Sequence, residues 1–189
     1  KAMHDPLTGL ANRALCLERI QQAVEAAQQT NSIFAVAFID LDRFKMLNDS
    51  LGHSFGDRVL VEAAKRLTDG VSVQDMVCRF GGDEFVLVVD GPRSSEENQT
   101  VIRNVVESLR HPFFVDGQEV RLTASVGVVT GPTADSPTAE SILQNADVAM
   151  HRAKDAGRDR IRMFHPGMLR RAVELMALDA DMRRALELK

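Results

Sequence analysis

The stretch Met76-Val77-Cys78-Arg79-Phe80-Gly81-Gly82-Asp83-Glu84-Phe85-Val86-Leu87-Val88-Val89 decides the fold. Two apolar runs, about 76–80 and 84–89, flank a glycine pair, the pattern of an antiparallel hairpin. The pair suits a type I′ turn, and equally a place where a ligand approaches bare backbone. Upstream, Ile33-Phe34-Ala35-Val36-Ala37-Phe38-Ile39 is apolar on both alternations and predicts a central strand buried on both faces. That strand runs straight into Asp40-Leu41-Asp42. If the two strands are neighbours, Asp40, Asp42, Asp83 and Glu84 converge at one edge of a sheet. Such a cluster repels itself unless cations fill it. Hard divalent ions with oxygen ligands suit it, and Mg²⁺ leaves coordination positions for phosphate oxygens. Taken singly, each is also an ordinary turn acid.

Working outward, Asn12 caps a helix to about Thr30, and shorter helices are expected over about 43–50 and 56–68. Pro92 to Gln99 reads as a polar loop before a helix ending near Leu109. Phe113–Val115 and Val120–Val129 flank Asp116-Gly117 as a second hairpin. Gly131 to Pro137 reads as a loop, Thr138 to Ala156 as a helix closed by Gly157, and Ile161–Phe164 as a last strand. Helices and hairpins interleave, which predicts an α+β fold with helices covering a mostly antiparallel sheet. From Pro166 to Lys189 the pattern changes. Leu175, Leu178, Met182, Ala185 and Leu186 form a stripe among alternating charges, one amphipathic helix appended to the domain. The expected division is therefore 1–165 and 166–189.

Composition narrows the classes. With 189 residues, 44% hydrophobic and 26% charged, the chain is about one domain's worth and is neither disordered nor fibrous. No run approaches the roughly 20 apolar residues that cross a bilayer. The chain opens Lys1-Ala2-Met3-His4, which reads as a piece of a longer protein. Cys16 and Cys78, without a CxxC, read as reduced core thiols of a cytoplasmic domain. Lys+Arg 23 against Asp+Glu 27 argues against nucleic acid or an acidic membrane as partner. Yet Arg152, Lys154, Arg158, Arg160 and Arg162 meet only Asp155 and Asp159 in their stretch, which suits a small polyanion or a solvated helix face.

The turn from Leu41 to Phe44, strand into helix, leaves backbone N–H groups free for an anion. Lys45, one turn in, reaches a phosphate or simply solvent. Paired carboxylates, metals and nearby cations are the apparatus of in-line phosphoryl or nucleotidyl transfer.

Arg79-Phe80-Gly81-Gly82-Asp83-Glu84-Phe85 resembles the signature of the GGDEF family, the diguanylate cyclases. Asp5-Pro6-Leu7-Thr8-Gly9-Leu10-Ala11-Asn12-Arg13 is similar to the family's entry motif, and Phe38-Ile39-Asp40-Leu41-Asp42-Arg43-Phe44-Lys45 to its first strand and phosphate turn. Asn48-Asp49 through Gly52-His53 to Gly56-Asp57 resembles its guanine-binding stretch, and Ala153-Lys154-Asp155-Ala156-Gly157-Arg158 its closing motif. The matches run in order from about Asp5 to Phe164.

The resemblance implies a fold like the palm of nucleotide cyclases and polymerases. It implies condensation of two GTP into cyclic di-GMP with release of two pyrophosphates, one GTP per domain, in a transient antiparallel homodimer. It implies two Mg²⁺ per site, Mn²⁺ as a substitute, held by Asp40, the Leu41 carbonyl and Asp83. Asp83 and Glu84, with Lys45, match the catalytic positions. Asn48 and Asp57 match the guanine readers, with Phe44 and His53 in the same stretch, although His53 also fits a helix-packing role. Lys154 and Arg158 match triphosphate contacts, beside the bare backbone of Gly81 and Gly82. Three departures stand out. Ser72-Val73-Gln74-Asp75 occupies the family's Arg-x-x-Asp product-inhibition window, which would leave Asp75 repelling an anion. His151 stands where a Tyr is usual, and Asp159 where an Asn is usual. The tail resembles the connector to a following EAL phosphodiesterase domain, so two other readings stay open: a GTP-binding regulator of such a domain, and a scaffold with neither role.

Overall fold

The computed structural model describes residues 3–132 and 137–187. Its elements are α1 (Arg13–Thr30), β1 (Phe34–Leu41), α2 (Phe44–Leu51), α3 (His53–Asp69), β2 (Met76–Gly81), β3 (Glu84–Val89), α4 (Ser95–Arg110), β4 (Phe113–Val115), β5 (Gln118–Val120), β6 (Ala124–Gly131), α5 (Ala139–Asp155), β7 (Arg160–Met163) and α6 (Gly167–Glu187). Five strands make one sheet in the order β2-β3-β1-β6-β7. All its pairings are antiparallel except β6 with β7. The α+β expectation holds.

β1 is buried at every residue, so both of its faces must be covered. Ala35, Ala37, Ile39 and Leu41 pack toward α3 and α4. Phe34, Val36 and Phe38 pack toward α1 and α5. β3 divides the same way, Phe85, Leu87 and Val89 on the first face and Val86 and Val88 on the second. This parity decides where the acidic ends of both strands point. α5 lies directly on β6, because a Cβ at Gly127 would overlap the backbone of Ala146 and Met150.

Several boundaries differ from the sequence reading, for local reasons. α4 begins at Ser95, inside the expected polar loop, because Ser94 and Glu97 form a reciprocal capping box. α3 begins at His53, immediately after the left-handed Gly52. The run from Val120 to Val129 is not one strand: β5 closes a separate ribbon with β4, and β6 starts at Ala124 in the main sheet. The hairpin turn has positive φ at Gly82 (48°) but not at Asp83, the sign pattern of a type II′ rather than a type I′ turn. Of the loop expected over 131–137, residues 133–136 lie outside the described residues. In α6 the stripe residues Leu175, Leu178 and Met182 are exposed, while the side chains of Ala185 and Leu186 lie outside the described set.

Gly127→Ala is expected to destabilise the domain by roughly 1–3 kcal/mol, the usual cost of forcing a methyl between packed backbones. Urea unfolding measures it, and a midpoint unchanged from wild type would show that α5 does not rest on β6 in this way.

Candidate active site

Alternation along β1 carries Asp40 onto the face that holds Phe34, Val36 and Phe38, beneath α5. The same parity carries Glu84 onto that face of β3. Asp40 and Glu84 are direct partners in the β1–β3 register, with Ser125 opposite Asp40 on β6. Asp83 sits in the turn, and its carbonyl accepts from the Leu41 backbone N–H (3.2 Å), tying the turn to the end of β1. From α5, Lys154 Nζ reaches Asp40 Oδ2 at 2.7 Å. Asp40 is 6% exposed. Burial pushes its carboxyl up from the ordinary value, with the charges of Asp83 and Asp42 adding to the effect and Lys154 opposing it. Burial likewise pushes Glu84 up, reinforced by Asp40, Asp147 and Asp83. The four expected carboxylates therefore do repel one another at one sheet end.

Asp42 differs from the other three in its partners. Asp42 is buried, but its oxygens accept from Thr123 Oγ1 (2.6 Å), Ser125 Oγ (2.6 Å) and the Asp159 N–H (3.0 Å). Its charge still bears on Asp40, but with three incoming donors it is tied to the scaffold rather than turned toward a cation. Among the described residues, no three or more His, Cys, Asp and Glu side chains are arranged to hold a metal by themselves. What the sheet end offers is mixed: the carboxylates of Asp40 and Asp83 and the carbonyl of Leu41. These are hard oxygens, and with Asp40 pushed up by burial and by its acidic neighbours they fit a divalent cation whose remaining ligands come from a phosphate.

The hairpin is aimed by Arg79, a residue whose part is not visible from its own motif. Arg79 donates to the Gly82 carbonyl through Nε (3.1 Å) and Nη2 (2.9 Å), and to both oxygens of Asp5 through Nη1 (3.1 Å). Asp5 also accepts from the backbone and hydroxyl of Thr8. Against the cost of burial, these bonds hold the Asp5 carboxyl below its ordinary value. The signal was readable only by joining two motifs 74 residues apart. A Cβ at Gly81 or Gly82 would meet no protein atom, so packing does not demand glycine there and the space above the turn is open.

On the other side of β1, Arg43 takes a left-handed conformation (φ 60°) and α2 starts without a side-chain cap. The first-turn N–H groups of α2 have no intrahelical partner, and Lys45 stands exposed beside them. The Phe44 side chain is core, so only its backbone faces outward. Asn48 Oδ1 is buried without a partner. A Cβ at Gly56 would overlap that same amide, so the α2–α3 crevice is shaped around Asn48. Asp57, the next residue, is exposed on α3. His53 is the exposed first residue of α3 and does not pack between helices, as the alternative had it. Arg158 opens onto a cavity of about 500 Å³ shared with Arg43, Met46 and Leu47.

The departures resolve differently. Asp75 is not left repelling an anion. Arg93, from the β3–α4 loop, donates to Asp75 Oδ1 (2.7 Å) and Oδ2 (3.2 Å) and to Ser72 Oγ (2.7 Å). Arg93 and Ser72 outweigh burial and hold the Asp75 carboxyl down. The guanidinium missing at Ser72 thus arrives from 21 residues downstream. The Asp159 carboxylate turns to Arg110 (2.8 Å). His151 Nε2 lies 3.4 Å from Asp147 Oδ1, largely exposed.

Comparison with known proteins gives the family. Residues 2–160 match the family described as diguanylate cyclase, GGDEF domain, and the chain belongs to that family. It is 41% identical over 186 residues to the bifunctional diguanylate cyclase/cyclic di-GMP phosphodiesterase MucR of Pseudomonas aeruginosa, covering 98% of this chain and 27% of MucR. It is 35% identical to the cyclic di-GMP phosphodiesterase PdeR of Escherichia coli, covering 97% of this chain and 27% of PdeR. The solved GGDEF domain of TpbB from Pseudomonas aeruginosa superposes with a TM-score of 0.84 at 36% identity, covering 88% of this chain and 97% of that one. The chain spans about a quarter of MucR and of PdeR.

A carboxyl whose folded pKa is raised stabilises the fold below its unfolded pKa, and that stability is lost as pH rises through the folded value. Glu84→Gln is therefore expected to be more stable than wild type near pH 7, in the absence of metal and nucleotide, with the difference fading toward about pH 4. Thermal melts across that range check it, and a variant less stable than wild type at pH 7 would contradict the repulsion.

Proposed function

We propose that this domain is a diguanylate cyclase, condensing two GTP into cyclic di-GMP with release of two pyrophosphates. The observation that carries the reading is the register pair Asp40–Glu84 on one face of the sheet, next to Asp83 and in contact with Lys154. The intact Gly81-Gly82-Asp83-Glu84-Phe85 sequence and the family membership support it.

Asn48, with its orphaned buried oxygen, and Asp57 would read the guanine edge, with His53 at the rim of the crevice. An Asp accepting from N1–H and the exocyclic amine selects guanine over adenine, which lacks that donor pair. The uncapped start of α2, through the backbone of Phe44, together with Lys154 and Arg158, would hold the triphosphate. Asp40, Asp83 and the Leu41 carbonyl would hold Mg²⁺, two per site, with Mn²⁺ as a substitute. When bound, such ions neutralise the triphosphate and the developing charge. Lys45 would stabilise charge in the transition state. The 3′-oxygen of one GTP attacks the α-phosphorus of the other, its proton passing to the Asp83–Glu84 pair, and the bond to pyrophosphate breaks. Because one domain holds one GTP, two domains face each other antiparallel, and each supplies one α-phosphate and one 3′-hydroxyl.

We assign residues 1–165 to the cyclase domain and 166–189 to a linker helix toward an EAL-type domain. The relatives named as bifunctional or as phosphodiesterases align over 97–98% of the chain, whereas the diguanylate cyclase TpbB aligns over 86%. That difference also favours the second reading, a GTP-binding regulator of an adjacent phosphodiesterase domain. Among the described residues no helix is long and apolar enough to cross a membrane. We place the domain in the cytoplasm, where GTP is.

Incubation with GTP and Mg²⁺, with product quantified beside GTP affinity, separates the readings. Product establishes the cyclase, binding without product establishes the regulator, and neither overturns both. Asp83→Asn is expected to abolish product while the fold survives, and near wild-type turnover would refute the metal assignment. Asp57→Ala is expected to weaken GTP by about 1.5–3 kcal/mol, the scale of a hydrogen bond to a charged group, and ATP much less. Equal losses for both nucleotides would place the guanine reader elsewhere.

A further inference from the structure

The turn between α5 and β7 is held in an unfavourable conformation. Gly157, Arg158 and Asp159 have φ of 113°, 63° and 47° in succession, and two of the three carry a Cβ. Side chains with a Cβ resist the left-handed region, so such a run persists only where surrounding contacts impose it. The contacts can be named. The Gly157 and Arg158 N–H groups bond back to the carbonyls of Lys154 (3.1 Å) and Ala153 (3.0 Å), which continues the helix end. The Asp159 N–H has no such local partner and donates to Asp42 Oδ2 at 3.0 Å, across 117 residues. Outside, Arg110 of α4 grips the same residue, through Nε to Asp159 Oδ1 (2.8 Å) and through Nη2 to the Asp159 carbonyl (3.3 Å).

Asp42 is therefore spoken for on three sides, by Thr123, Ser125 and Asp159, two residues beyond Asp40. We infer that Asp42 is a positioning residue: its buried carboxylate fixes the left-handed turn that carries Arg158, and with it the end of α5 that carries Lys154, against the end of β1, and Arg110 latches that turn from outside. The inference rests on the proposed reading of Lys154 and Arg158 as triphosphate contacts. Its consequence is selective. With Asp42 in place, the two cations stand ready at a fixed spacing from the sheet end. Without it, the turn relaxes from its left-handed run and the phosphates meet a mobile Arg158, whereas the guanine crevice between α2 and α3 is untouched.

The selectivity gives the test. Asp42→Leu keeps the shape but removes both acceptor oxygens; the hydroxyls of Thr123 and Ser125 can turn elsewhere, whereas the Asp159 N–H loses its partner. Binding is measured with 3′-deoxy-GTP, which cannot be condensed, and with GMP, which lacks the β- and γ-phosphates. The variant is expected to bind 3′-deoxy-GTP about tenfold more weakly, the effect of one unsatisfied buried polar group, and GMP within about twofold of wild type. If the wild type discriminates the two nucleotides but the folded variant holds 3′-deoxy-GTP within about twofold of wild type, the inference is overturned. Equal losses for both nucleotides overturn it too, because they make Asp42 a general structural residue. A wild type that holds 3′-deoxy-GTP no better than GMP removes the phosphate role itself, and the inference with it. Should Asp42→Leu not fold, Arg110→Ala decides. Its partly exposed guanidinium is the outer half of the latch, and its loss is expected to weaken 3′-deoxy-GTP about threefold with GMP unchanged, whereas unchanged binding of both overturns the inference.

Discussion

A buried carboxylate must be paired, and the pairing of Asp40 with Lys154 organises the whole sheet end. An ionised group taken out of water costs several kcal/mol unless an opposite charge and hydrogen bonds offset it. Asp40 is almost fully buried at the end of a strand buried on both faces, and the 2.7 Å contact with Lys154 is its main compensation. That contact exists only because α5 lies close on β6 at Gly127, which aims the last turn of the helix at the end of β1. Yet one ammonium does not neutralise Asp40, Asp83 and Glu84. Asp40 and Glu84 remain pushed up by burial and mutual repulsion. The fold thus tolerates an acidic excess at the one place where a cation and a polyphosphate would together be welcome.

Around that excess the scaffold is over-determined. Arg79 pins the hairpin turn to Asp5, and Asp42 pins the α5–β7 turn to β6 and to the strand beyond Asp40. Both pins are charge-assisted and reach far along the sequence, which suits turns that must be held without regular structure. Arg93 plays a comparable part at Asp75, closing the β3–α4 loop onto the residue before β2. Three guanidinium groups, at 79, 93 and 110, therefore serve the geometry of turns.

The sheet was legible in the sequence where periodicity was strong. β1, β2 and β3 are close to where the apolar runs and Gly81-Gly82 placed them, and parity alone places Asp40 and Glu84 on a common face once the strands are neighbours. The start of α4 was written in Ser94 and Glu97 but was outweighed by the polar composition of the loop. The break between β5 and β6 was not legible, because Val120, Leu122 and Ala124 alternate as a strand would and only the partner strands show that the chain changes sheets. The tying of Asp42 to the scaffold depends on Thr123, Ser125 and Asp159, which no local pattern connects to it. The same holds for Arg93, whose pairing with Asp75 follows from where the β3–α4 loop folds.

The most direct measurement of the central claim is a structure determined with Mg²⁺ and a non-reacting GTP analogue. The account predicts the metal among Asp40, Asp83 and the Leu41 carbonyl, with Lys154 Nζ drawn off Asp40 toward the phosphates and the turn at Arg158 unmoved. Nucleotide bound elsewhere, or Lys154 still seated on Asp40 with no metal beside it, would contradict the account.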